Sequence, residues 1–162
     1  MKRAILAAAL LLVGTPLSAQ SAGTTYIHAG RLLDQPGQAP RGPSTIIVRE
    51  GKVAEVRDGF VAPEADARLV DLKTQFVLPG LIDMHVHISS DDNLLRSRLE
   101  GPGRDVEDVF VIAQNNARLT LEAGFTTVRD LGGDGRTTAT LRDAINNGVI
   151  VGPTIIPAGT MV

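Results

Sequence analysis

The sequence predicts an α/β chain in which short strands come first and alternating strands and helices follow. Three observations carry this reading. Between Thr24 and Leu78, β-prone runs are separated by turns rich in Pro and Gly. After Pro79-Gly80 the pattern changes to strands alternating with segments of helical period, the signature of a parallel sheet. Apolar content of 43% and charged content of 21% lie in the range of ordinary globular domains.

The first element stands apart from that fold. MKRAILAAALLLVGTPLSAQ has a basic start at Lys2-Arg3, an apolar run from Ala4 to Val13 and a break at Gly14-Thr15-Pro16 before small residues. This is the pattern of a secretory signal peptide, residues 1–19, cleaved after Ala19. The run is only about ten residues long, whereas a bilayer takes about 20, so no membrane span is expected after cleavage. The expected product is exported, periplasmic or secreted. The chain has no cysteine, which excludes a lipid-modified cysteine at the junction and any disulfide framework.

Residues 20–78 read as small strands joined by tight turns: TTYIHAGRLLD, a loop QPGQAPRGP, then STIIVREGKVAEVRDG and ARLVDLKTQFVLPG. Glu50-Gly51 sits between two β-prone runs and predicts a hairpin turn, with Gly51 taking a positive φ. A unit of about 55 residues buries too little area for a deep core of its own.

Residues 79–162 begin with a strand over Leu81 to Ile88, followed by a loop from Ser89 to Gly103. Val106, Val109, Phe110, Ala113, Ala117 and Leu121 then recur at helical spacing until Gly124 stops the helix. Phe125 to Asp130 is the second strand, and Leu131 to Gly135 a Gly-rich loop. A second helix runs from Thr138 to Asn147 with Gly148 as its stop, and Thr154 to Ala158 opens a third strand.

Composition narrows the function. A net charge of −2 with scattered basic residues lacks the footprint of nucleic-acid binding. Four Phe, one Tyr and no Trp leave little for base stacking or a broad aromatic hot spot. A small-molecule site remains.

The chemistry concentrates in VLPGLIDMHVHISSDD, which holds two of the three histidines. On a strand, Leu81, Asp83, His85 and His87 point one way, and the apolar set Ile82, Met84, Val86 and Ile88 points toward covering helices. The imidazoles fall at the carboxyl end, where active sites of parallel α/β folds lie. His85 and His87 are therefore candidate ligands of one divalent ion. The bland reading is a polar strand end, hydrogen-bonded to carboxylates such as Asp83 or Asp91. His28, alone in a peripheral strand, reads as a packed or solvated histidine. LGGDGRTT places Gly133, Gly135 and Thr138 at the positions of a dinucleotide fingerprint, but the third glycine is missing. It reads instead as a βα loop with Thr137 or Thr138 as helix N-cap.

PGLIDMHVH resembles the first barrel strand of the amidohydrolase superfamily of metal-dependent hydrolases. TTYIHAGRLLD and STIIVREGKVAEV are similar to its N-terminal β-sandwich strands, and LEAGFTTVRDLGG to its second barrel strand and loop. With the signal peptide, that last stretch most resembles the exported imidazolonepropionase-like and Xaa-Pro dipeptidase-like branch. The metallo-β-lactamase pattern HxHxDH fails, since Ser89 and Ser90 occupy its last two positions.

The resemblance implies small β-sandwich-like strands followed by the first units of an incomplete (β/α)8 TIM-type barrel. It implies His85 and His87 as metal ligands, a divalent metal, Zn²⁺ in one or two ions, and hydrolysis of an amide, lactam or dipeptide C–N bond by a metal-activated water. Asp130, ending the second strand, is a candidate for the substrate or metal neighbourhood, against a tethering role with Arg129. Asp83, one pleat deeper, is expected to make a structural hydrogen bond. The family's general base and remaining ligands have no matching position here, which puts the base beyond Val162. A barrel takes about 250 residues, so the chain is expected to be the N-terminal portion of such an enzyme and inactive alone. The other class left open is a non-catalytic exported protein that binds a metal or partner.

Overall fold

The computed structural model describes residues 23–90, 93–133 and 135–159. The expected signal peptide over residues 1–19 and the carboxylate of Asp91 lie outside them. The chain divides into two compact units, Met1–Leu78 and Pro79–Val162. Among the described residues, no helix is long and apolar enough to cross a membrane.

In the first unit, β1 (Thr25–Leu32), β2 (Ser44–Arg49), β3 (Lys52–Asp58) and β4 (Arg68–Val77) form one mixed sheet in the order β3-β2-β1-β4. The sandwich-like strands read from sequence thus supply a single layer among the described residues. Glu50 and Gly51 take φ of 51° and 74°, closing the β2–β3 hairpin with Arg49 opposite Lys52. Both central residues sit in the left-handed region, the geometry of the two-residue turn that suits twisted strands.

β1 runs antiparallel to β2 but parallel to β4, with a register shift between Ala29 and Arg31. Gly30 lies at that shift, and a Cβ there would run into the Lys73 carbonyl. Alternation along β1 and β2 gives two buried faces. Ala29, Leu32 and Ile46 form a small apolar cluster on one. Tyr26, His28, Thr45 and Ile47 are buried on the other. The chain after β3 folds back over this second face. Thr45 Oγ1 donates to the Gly59 carbonyl at 2.7 Å and accepts from the Val61 N–H at 2.9 Å. His28 Nε2 bonds the Val61 carbonyl at 2.8 Å and its ring lies 5.2 Å from Phe60.

In the second unit, β5 (Leu81–Val86), β6 (Phe125–Asp130) and β7 (Thr154–Pro157) form a parallel sheet in that order. Helix α2 (Val106–Glu122) links β5 to β6, and α3 (Gly135–Asn146) links β6 to β7. The fold is α/β with mixed and parallel sheets, and the parallel sheet is open, an incomplete TIM-barrel-like arrangement. Its core joins Ile88, Ala113, Ala117, Val128, Leu141 and Ile155. Ala113 and Ala117, one turn apart, let α2 approach the sheet closely. Gly124 then ends α2 at φ 96°, and its N–H reaches the Leu121 carbonyl.

Three sequence expectations change. The stretch read as a loop from Ser89 to Gly103 contains α1 (Leu94–Glu100) and a short 3₁₀ turn, Gly101–Gly103. Asn93 caps α1 by accepting from the Arg96 N–H at 2.9 Å, while Leu95 and Leu99 stay exposed, so the apolar periodicity gave no warning. Thr137 and Thr138 are not N-caps: α3 starts at Gly135 and buries both hydroxyl side chains. Ile82 and Met84, read as pointing toward covering helices, are 61% and 50% exposed.

Candidate metal centre

Strand β5 begins where Pro79-Gly80 delivers the chain beside β6; a Cβ on Gly80 would collide with the Thr126 side chain. Its ladder pairs Leu81 with Phe125 and Asp83 with Val128, then Val86 with Asp130. Three steps on β5 thus face two on β6, so Met84-His85 carries a bulge. Side chains fill the gap it leaves. Arg129 Nε donates to the Met84 carbonyl at 2.9 Å, and the His85 N–H donates to Asp83 Oδ1 at 2.9 Å. Bulges beside active sites re-aim side chains, and simple alternation does not anticipate this one.

The strand ends at Val86, so His85 is its penultimate residue and His87 is the first beyond it. Both imidazoles are exposed. Their ring centres lie 5.4 Å apart at an interplanar angle of 72°. Two imidazoles bound through nitrogen to one tetrahedral ion, at about 2.1 Å each, hold their ring centres about 5 Å apart. The donor set and spacing therefore fit a divalent ion.

His87 carries a second feature of metal-binding histidines. Its Nδ1 lies 2.8 Å from the Gly132 carbonyl, which only accepts, so Nδ1 carries the proton and Nε2 keeps its lone pair. Such a bond fixes the ring and raises its basicity toward a metal. Gly132 and Gly133 take φ of 151° and 154°, and a Cβ on Gly133 would meet the Ser89 hydroxyl. The Gly-rich loop thus lies against the residues beyond β5. Leu131 N–H donates to the Val86 carbonyl at 3.0 Å, stitching its start to the end of the strand.

Asp130 is 2% exposed. Oδ2 accepts from Thr138 Oγ1 at 2.7 Å and Oδ1 lies 3.4 Å from the Ile88 N–H. Asp83 makes the structural hydrogen bond expected of it. Among the described residues, no group of three or more His, Cys, Asp or Glu comes together to hold an ion. Two imidazoles are what these residues bring.

Two participants went unnoticed in the sequence. The Gly132 carbonyl is backbone and leaves only the glycine pair as a hint. Asn116 donates from Nδ2 to the Ile88 carbonyl at 3.0 Å and to the Ser90 carbonyl at 2.9 Å. Its signal was a polar residue three positions from Ala113 on the buried side of α2. On α1, Glu100 is held below its ordinary value of 4.5, first by the hydrogen bond from Arg96 and further by Arg104.

Residues 76–162 match the profile of the Amidohydrolase family. The chain is 30% identical over 155 residues to ochratoxinase of Aspergillus niger, covering 88% of this chain and 29% of that protein. It is 35% identical over 103 residues to dihydroorotase of Anaeromyxobacter sp. (strain K), covering 64% of this chain and 20% of the relative. Among solved structures, an Xaa-Pro dipeptidase with methionine bound in its active site superposes with a TM-score of 0.78 and 33% identity, over 86% of this chain and 34% of that one. The chain thus spans between 20% and 34% of the length of these relatives.

Proposed function

The chain belongs to the Amidohydrolase family, and from that premise we propose that it is the N-terminal part of an exported, zinc-dependent hydrolase of C–N bonds. The observation that carries the reading is the pair His85 and His87 at the end of β5, with His87 Nδ1 engaged by the Gly132 carbonyl.

His85 and His87 would hold the ion through their remaining nitrogens. When bound, the ion supplies a water acidic enough to attack at neutral pH and draws charge from the scissile carbonyl. The Gly132 carbonyl keeps the proton of His87 on Nδ1, and Asp83 and Arg129 hold the bulged backbone that carries His85. Catalytic zinc takes three protein ligands, so a further ligand and the proton-carrying base would come from outside the described residues. Asp130 acts as a tether, accepting from Thr138 Oγ1 across the base of the Gly-rich loop. The likeness to an Xaa-Pro dipeptidase favours a dipeptide or other small amide as substrate, and residues 1–19 favour export to the periplasm or beyond.

The test uses the whole protein that carries this chain, assayed with Xaa-Pro dipeptides before and after chelation and zinc refilling. Loss on chelation, recovery with zinc and no recovery in His85→Ala are expected, while residues 20–162 alone turn over nothing. Turnover that survives chelation or His85→Ala would sink the reading. Zinc binding without turnover of any amide would favour the non-catalytic class.

A further inference from the structure

We propose that Asn116 and Asp130 are positioning residues for His87, gripping the peptide beyond it from two sides; this rests on the reading of His87 as a metal ligand. Ile88 is the point of grip. Its side chain is 4% exposed and sits in the core of the second unit, so its main chain has little freedom to move. Its carbonyl accepts from Asn116 Nδ2 on α2, and the same nitrogen donates to the Ser90 carbonyl. Ser90 N–H in turn donates to the His87 carbonyl at 3.0 Å, so Asn116 braces a turn that begins at the histidine itself.

The N–H of Ile88 faces Asp130 Oδ1 at 3.4 Å, a long contact that orients more than it binds. The stronger bond of Asp130 is the one from Thr138 Oγ1 at 2.7 Å. Asp130 ends β6 and Thr138 lies in the first turn of α3, so their bond closes the base of the loop that carries Gly132. One side chain therefore holds the chain that carries the imidazole, and the other holds the loop that carries its acceptor. The His87–Gly132 bond lasts only while both frames stay in register. Loosening either lets the ring exchange tautomers, and Nε2 then spends part of its time protonated and unable to bind an ion.

The experiment uses the whole protein with ¹⁵N-labelled histidine. In the zinc-free state at alkaline pH, the His87 ring nitrogens report the tautomer directly. Zinc affinity is read separately by competition with a chelator. Asn116→Asp keeps the shape and removes both donors, and Asp130→Asn keeps the shape and removes one acceptor. Should Asn116→Asp fail to fold, Asn116→Ala removes the donors without adding charge. A dominant Nδ1–H tautomer in the parent is expected, with mixed tautomers in both variants and zinc affinity lowered by about 10- to 100-fold. A residue with a merely structural role lowers Tm without moving these nitrogens. Unchanged His87 shifts in the folded variants, or mixed tautomers with unchanged zinc affinity, would overturn the proposal. Mixed tautomers in variants of a protein whose parent binds no zinc would overturn the metal reading and leave the positioning roles standing.

Discussion

The two units each place a histidine against a backbone carbonyl, and the contrast separates a packed histidine from a proposed ligand. In the first unit His28 is 4% exposed, gives Nε2 to Val61, packs on Phe60, and keeps Nδ1 buried without a partner among the described residues. In the second, His87 gives Nδ1 to Gly132, and the ring stands exposed 5.4 Å from His85. One hydrogen bond holds a loop down; the other aims a free lone pair outward. The largest difference should therefore appear when each is removed. In the whole protein His87→Ala is expected to lower hydrolysis by more than about 100-fold with little change in Tm. His28→Ala is expected to lower stability by about 1–3 kcal/mol and to leave turnover per folded molecule unchanged. Paired assays and urea melts check this, and the contrast fails if His28→Ala silences the folded enzyme.

The next effects break the comparison at its supports. Leu141 is fully buried among Ile88, Val128 and Ile155, so Leu141→Ala is expected to cost about 2–5 kcal/mol, the range for a truncated core leucine. Thr45 is its polar counterpart in the first unit, fully buried and holding both Gly59 and Val61. Thr45→Val keeps the shape and strands a carbonyl and an N–H, for about 1–3 kcal/mol. Urea unfolding measures both. Only the Leu141 change, which loosens the core beneath Ile88, should also weaken zinc binding; a zinc defect in folded Thr45→Val would break the separation of roles.

These differences were only partly legible in the sequence. Glu50-Gly51 announced its hairpin because a glycine between two β-prone runs supplies the positive φ of a tight turn; the positive φ of Glu50 had no such signal. Phe125–Asp130 was readable because β-branched residues lie between a helix-stopping glycine and a Gly-rich loop. The pair His85 and His87 stood out by its spacing together with its place at the carboxyl end of a strand and the resemblance of PGLIDMHVH. The bulge at Met84-His85 did not, because the bonds that compensate it come from Asp83 and Arg129, the second of them 45 residues away. Likewise the parallel pairing of β1 with β4, and the chain that covers His28, depend on contacts between distant residues that no local pattern encodes. Helix α1 left no such signal for the opposite reason: Leu95 and Leu99 face solvent, and what holds it includes the Asn93 cap and the Arg96–Glu100 ion pair.

That last point predicts the smallest effect and its sign. Glu100 is exposed, and its carboxyl is held below 4.5 chiefly by the Arg96 hydrogen bond, with Arg104 adding to it. A carboxyl whose folded value is depressed contributes its stabilisation above its ordinary value and loses it as pH falls through the lowered one. Exposed pairs of this kind contribute little and are screened by salt. Arg96→Ala should therefore leave the melting curve at neutral pH almost unmoved. It should also remove a slight stabilisation that the parent shows above pH 4.5 at low salt and loses on acidification. Amide hydrogen exchange over Leu94–Glu100 is the sensitive readout, since a local helix opens without unfolding the core. Faster exchange in the variant at neutral pH, converging with the parent in acid, is expected. Equal exchange at both pH values would mean that the Asn93 cap alone holds α1.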